Sequence, residues 1–217
     1  MLLYYITDRS QFGGDEATRR SRLLATVAQA ARCGVDYIQL REKDLLPREL
    51  ETLARAMVQR LRTENQKLKT ALLVNSRSDV ALASGALGVH LRSNDISPSD
   101  VKRIWAKSVA ALTSPPTVGV SCHTPAEVAR AAEEGADFAV FGPVFGKEKS
   151  SIAPTGLDAL QEACQEKIPV LALGGINLGN AEACLQAGAA GIAAIRLFQQ
   201  NEMDEVVAAL RRLTTDD

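Results

Sequence analysis

Apolar residues along this chain fall into two rhythms that alternate from one end to the other. Short runs such as "LLYYITD" (2–8), "LLVN" (72–75), "TVGVSC" (117–122) and "VLALGG" (170–175) are almost continuously apolar. That pattern predicts parallel strands covered on both faces, not half-exposed strands with alternating polar positions. Between such runs lie longer segments with apolar residues at three- and four-residue spacing, the signature of amphipathic helices. They include "RRSRLLATVAQAARC", "PRELETLARAMVQRLRTEN" and "TPAEVARAAEEG", with "SPSDVKRIWAK" and "NLGNAEACLQAG" of the same kind. Thr124-Pro125 has the chemistry of a helix start.

A second regularity supplies the remaining strands. "RCGVDYIQLRE", "ASGALGVHLRS", "EEGADFAVFGP" and "QAGAAGIAAIR" each pass from a helix-like stretch through glycine into an apolar run. Their glycines, Gly34, Gly85, Gly135 and Gly188, are 51, 50 and 53 residues apart. Glycine after a helical stretch is the expected cap, and a strand should follow it. Eight β–α units of about 27 residues each predict one (β/α)₈ TIM barrel, an α/β fold with parallel strands. No linker interrupts residues 1–217, so the whole chain reads as a single barrel domain.

Composition narrows the function classes. Hydrophobic residues are 46% and charged residues 24%, enough for a sizeable core. A net charge of −1 argues against nucleic acid or a membrane surface as partner and confines any anion site to a local patch. "MLLYYITDRS" lacks the form of a signal peptide, and no apolar run reaches the roughly 18 residues needed to span a bilayer. The expectation is a cytoplasmic protein acting on small molecules. Two outer helices, "PRELETLARAMVQRLRTEN" and "MDEVVAALRRL", read either as a homo-oligomer face or as ordinary solvated helices, and the sequence leaves this open. Four cysteines without a CxxC spacing read as free thiols.

In this fold, chemistry gathers at the C-terminal ends of the strands. Those ends carry Asp8; Gln39, Arg41 and Lys43; Asn75 and Ser76; Arg92 and Asp95; Ser121 and His123; then "GPVFGKEKSS", Gly174-Gly175 and Arg196. In "YIQLREKD" alternate side chains share a face, so Gln39, Arg41 and Lys43 point the same way. A guanidinium fork beside a compact ammonium suits phosphate or pyrophosphate oxygens. Internal pairing of these cations with Glu42, Asp44 or another carboxylate is the alternative, and the sequence leaves it open. Gly174-Gly175 after the seventh strand permits close backbone approach to a phosphate, with Arg196 adding charge. His123 has the chemistry of an acid–base group, whereas a Cys122–His123 pair is poor because neighbouring strand residues face opposite ways. His90 reads as a residue that packs or holds a polar neighbour, and Asp79 as an early helix residue.

Taken together, "YYITDR", "QLREKD", "VNSRSDVALASGALGVHLRSND", "GVSCHTPAEV", "GPVF", "PTGLDAL", "PVLALGGI" and "AGAAGIAAI" resemble the thiamine-phosphate synthase and thiazole tautomerase (TenI) family. The resemblance runs through essentially the whole chain and implies a (β/α)₈ barrel. For the synthase branch it implies that hydroxymethylpyrimidine pyrophosphate is joined to a thiazole phosphate with release of pyrophosphate, usually with Mg²⁺. It places Gln39, Arg41, Lys43 and Asn75 at the pyrophosphate, Asp95 as a magnesium ligand, and Ser121 near the two rings. Gly175 and the end of strand eight match the thiazole-phosphate site, which makes Gly174, Gly175, Ile195 and Arg196 substrate-binding candidates. Three positions depart from the synthase pattern. The family's "VND" is here "VNS", with Ser76 for a metal-binding Asp. The family's "GPVFPTxTK" loop ends in Lys, whereas "GPVFGKEKS" has Ser150 there, with Lys147 and Lys149 nearby. A Ser common at the end of strand eight is Arg196. The resemblance therefore also carries two alternatives: a metal-independent tautomerase using His123, and a non-catalytic phosphate-binding regulator.

Overall fold

The structure, a computed structural model, describes residues 1–64, 70–108, 115–146 and 153–214. Its strands are β1 (Leu2–Ile6), β2 (Tyr37–Leu40), β3 (Ala71–Asn75), β4 (Gly88–Leu91), β5 (Thr117–Cys122), β6 (Phe138–Phe141), β7 (Val170–Leu173) and β8 (Gly191–Ala194). They pair in chain order, all parallel, and β1 closes on β8 to complete a barrel. Helices α1 (Glu16–Arg32), α2 (Pro47–Glu64), α3 (Ser78–Ser84), α4 (Pro98–Ala106) and α5 (Pro125–Glu133) link the first strands. After β6 come α6 (Gly156–Ala163) and α7 (Ala181–Gln186), and after β8 come α8 (Arg196–Gln199) and α9 (Met203–Arg212).

The predicted punctuation has a physical counterpart at both helix ends. Asp15, Ser97 and Thr124 accept the backbone N–H of Thr18, Asp100 and Glu127, so three helices start on a side-chain cap. Gly34, Gly85, Gly135 and Gly188 all have positive φ, and β2, β4, β6 and β8 each begin three residues later. The fifty-residue repeat is thus the repeat of one helix-cap-strand turn around the barrel.

Strand parity separates two cores. Leu3, Tyr5, Ile38, Leu40, Val74 and Val89 face outward and pack under the helices. Tyr4, Ile6, Leu73, Phe138, Val140 and Leu171 face inward and fill the lumen. Tyr37 stacks on Phe138 with ring centroids 5.0 Å apart, and Tyr4 meets Phe138 edge-on at 5.4 Å. A side chain at Gly119 would put its Cβ 2.4 Å from the Phe138 ring and 3.1 Å from His90 Nδ1. Glycine there lets an aromatic plug close the lower barrel directly beneath the site. Among the described residues, no helix is long and apolar enough to cross a membrane.

Candidate active site

Above the aromatic plug, the same inward parity turns polar. Gln39, Asn75, His90 and Ser121 occupy the inward rows of β2 to β5 and line a cavity of about 930 Å³ at the C-terminal mouth. Cys122, one residue on from Ser121, faces outward into the helix layer, and burial pushes its thiol up to about 12. His123 returns to the inward side and lines the cavity. The two neighbours therefore face opposite ways, as the strand pattern required.

Ser121 is held from below. Its hydroxyl lies 2.8 Å from His90 Nε2, and His90 Nδ1 lies 3.1 Å from the hydroxyl of fully buried Tyr4. A buried phenol with one partner is best satisfied as donor, which makes Nδ1 the acceptor and leaves the His90 proton on Nε2. His90 then donates to Ser121, whose own O–H is left for the cavity. Burial is the main cause holding His90 down to about 3, with the Arg41 charge adding and Asp95 opposing. The folded value lies below the ordinary 6.5. The unfolded chain therefore binds the extra proton between these values, and stability is full above about pH 6.5 and falls as pH drops toward 3. His90→Gln should flatten that fall. Urea unfolding at about pH 7 and about pH 5 should show the unsubstituted protein losing more stability than the variant, with a limiting slope of about 1.4 kcal/mol per pH unit.

The open question at the end of β2 is answered by Arg9. This buried arginine donates Nη1 to Glu42 Oε2 at 3.1 Å, and Nη1 and Nη2 to the two oxygens of Asp44 at 2.7 and 2.8 Å. Glu42 also accepts from Thr7 Oγ1 at 2.6 Å. Both carboxylates that flank Lys43 are thus committed elsewhere. Asp8 is occupied too, by Ser10 and Gln11. Burial would raise the Asp8 carboxyl, but those hydrogen bonds and the Arg41 charge hold it below its usual range. The Arg41 and Lys43 side chains make no hydrogen bond or ion pair among the described residues, and both line the cavity. Gln39 Nε2, beside them, donates to Asn75 Oδ1 at 2.9 Å.

Asp95 stands differently from what its match to a magnesium ligand implied. Its Oδ2 accepts from Ser76 Oγ at 2.6 Å and from the Arg92 backbone N–H at 2.8 Å. Its Oδ1 accepts from Arg92 Nε and Nη2 at 3.2 and 2.9 Å. Four donors occupy the roughly four lone-pair directions that a carboxylate offers. Burial works to raise this carboxyl, but the bonds from Ser76 and Arg92 hold it low and ionised. Arg92, Ser93 and Asn94 line the cavity, whereas Asp95 lines a small neighbouring pocket. The second family ligand position is Ser76, a hydroxyl donor held at φ 56. A hard dication needs several oxygen lone pairs, usually carboxylate. No group of three or more His, Cys, Asp or Glu side chains that could hold a metal occurs among the described residues. The donor set here does not fit Mg²⁺.

A second cavity of about 320 Å³ opens beside the first, with Leu173, Gly174 and Ile195 as shared wall. Gly175, Asn177 and Arg196 line it. Gly174 has φ 101, and a Cβ there would sit 2.5 Å from Pro143 Cα, so the turn after β7 can pass the β6 loop only as glycine. Ile195 is the N-cap of α8 and Arg196 its first residue, so neither belongs to β8 itself. His123 Nδ1 lies 2.6 Å from the Gly142 carbonyl, which places a ring proton on Nδ1, and Nε2 has no hydrogen-bond partner among the described residues. Lys147 and Lys149 lie outside the described residues.

A family model described as thiamine monophosphate synthase matches residues 3–198. The chain belongs to the thiamine monophosphate synthase family. A member from Geobacter sulfurreducens is 44% identical over 196 residues, covering 89% of this chain and 84% of that one. The thiamine-phosphate synthase of Syntrophomonas wolfei is 39% identical over 215 residues, covering 97% of this chain and 95% of its own length. Thiamine phosphate pyrophosphorylase from Pyrococcus furiosus superposes with a TM-score of 0.77 at 30% identity, covering 98% and 94% of the two chains.

Within this family member, three participants carried little or no local signal. Arg77 follows the polar end of β3 and lines the mouth, but "SRSD" reads as a helix start. Arg92 was visible as a strand-end cation, not as the partner of Asp95. Arg9 looks like a turn residue, because Glu42 is 33 positions away.

Proposed function

We propose that this chain is a transferase of the thiamine-phosphate synthase type. It joins hydroxymethylpyrimidine pyrophosphate to a thiazole phosphate and releases pyrophosphate. The observation that carries this reading is the pair of cations Arg41 and Lys43, unpaired among the described residues while Arg9 engages Glu42 and Asp44. Such a fork is a feature that an isomerase acting on a monophosphate need not keep.

The chemistry follows from where charge develops. The bond between the pyrimidine methylene and the pyrophosphate oxygen breaks, and its electron pair leaves with the oxygen. Arg41, Lys43 and the Gln39–Asn75 pair face that oxygen cluster and lower the cost of its new charge. The methylene cation is left beside Ser121, whose hydroxyl is oriented by His90. The thiazole phosphate group occupies the chamber at Gly175 and Arg196, which holds the ring nitrogen toward the shared wall. The nitrogen lone pair then forms the new carbon–nitrogen bond. Binding both partners in one vessel converts a two-body collision into a local one.

No proton moves in this sequence, whereas an isomerisation requires an acid–base group. His123→Ala is therefore expected to keep synthase turnover within about tenfold of the unsubstituted enzyme, a loss on the scale of one hydrogen bond. Steady-state consumption of both substrates by the variant checks this. Complete loss of this turnover in a folded His123→Ala protein would show instead that His123 takes part in the transfer.

A further inference from the structure

We propose that this active site has exchanged the divalent cation of its family for arginine, so that pyrophosphate is held and released without Mg²⁺. The inference rests on the synthase reading above and concerns the corner formed by Ser76, Arg92 and Asp95.

Two carboxylates around a dication are neutral, and one carboxylate paired with one guanidinium is neutral as well. Ser76 removes one negative charge from the family pattern, and a dication in the same place would then be undercompensated. Arg92 on Asp95 restores the balance with a monocation. For Asp95 to take a metal, its bonds to Arg92 Nε, Arg92 Nη2 and Ser76 Oγ would have to break. Ser76 donates its own proton to that carboxylate, so its hydroxyl is oriented as part of the pair and not as a metal ligand.

Arg92 also has donors left to offer. A guanidinium carries five N–H donors, and the pairing with Asp95 uses one on Nε and one on Nη2. Its side chain is 64% exposed and lines the cavity. Arg77, at the end of β3, repeats the arrangement: Nε and Nη2 pair with Asp79 and the residue lines the same mouth. Two guanidinium groups, each anchored on its own carboxylate, thus join Arg41 and Lys43 around one opening. Such anchored forks suit the oxygens of a diphosphate. In the transfer step the carbon–oxygen electron pair moves onto the pyrophosphate oxygen, and these N–H groups stabilise it where a metal would otherwise do so.

The test uses the full-length protein stripped of metal with EDTA and titrated with inorganic pyrophosphate by calorimetry. Binding is expected in EDTA, about tenfold weaker in Arg92→Ala, and intermediate in Arg92→Lys, which keeps the charge and loses the fork. Ser76→Asp should weaken metal-free binding further, because it adds a negative charge beside the anion. Pyrophosphate binding that appears only when Mg²⁺ is restored, or that ignores Arg92→Ala, overturns the inference. Turnover assays separate it from the synthase reading. Thiamine phosphate formed in Mg²⁺ but not in EDTA refutes arginine replacement and leaves the synthase intact. If neither condition gives product, the synthase reading fails and the calorimetry alone decides the anion site.

Discussion

Arg9→Ala should be the most destabilising single substitution at this end of the barrel, costing about 3–5 kcal/mol in equilibrium urea unfolding. Arg9 and Glu42 form an ion pair with side chains only 6% and 2% exposed, so solvent screening does not discount it. Removing the arginine leaves a buried carboxylate with Thr7 and a backbone N–H as its remaining partners. The cost arises from that stranded charge, not from the net worth of the pair. Replacing both members together, Arg9→Met with Glu42→Leu, should therefore recover most of the stability. An Arg9→Ala protein that unfolds within about 1 kcal/mol of the unsubstituted chain would show that the pair is not buried in solution. Beyond stability, Arg9 keeps Glu42 away from the cations. The double replacement should preserve pyrophosphate affinity, whereas Arg9→Ala alone should weaken it.

Arg41→Ala should lower kcat/KM by roughly 10- to 150-fold, the equivalent of about 1.5–3 kcal/mol for a charge-assisted contact. Arg41 lies half-buried beside Gln39, on the inward row that also carries Asn75 and Ser121. Arg41→Lys keeps the charge and loses the fork, so an intermediate value is expected. The loss should be confined to the pyrophosphate substrate. Affinity for the thiazole phosphate, measured separately, should stay close to that of the unsubstituted protein. An unchanged kcat/KM in Arg41→Ala would remove this residue from the site.

How much of this was legible in the chain depends on sequence distance. The strands were readable because both faces are buried and glycine caps recur, two local signals. "TVGVSC" coincides with β5, and the other runs differ from their strands by a few residues at the ends. The site was readable where polarity breaks an apolar run, as at Gln39, Arg41, Asn75 and Ser121. Partnerships were not readable, because they join residues that only barrel closure brings together. His90 lies 86 positions from Tyr4 and 31 from Ser121, and the tautomer that orients Ser121 depends on both. The same holds for Asp95. Its match to a metal ligand was visible, but the commitment of all its lone pairs to Ser76 and Arg92 is a matter of geometry. Ser76 shows the limit most clearly. Its replacement of an aspartate was plain in "VNS", while its left-handed backbone and its bond to Asp95 required the fold.

On the synthase reading, this mouth joins the two rings. Purified protein should be given hydroxymethylpyrimidine pyrophosphate and thiazole phosphate together, and the mixture analysed for thiamine phosphate and inorganic pyrophosphate. The account predicts both products in equal amounts, with formation strongly reduced in Arg41→Ala. Absence of thiamine phosphate from a folded protein that binds both substrates would contradict it.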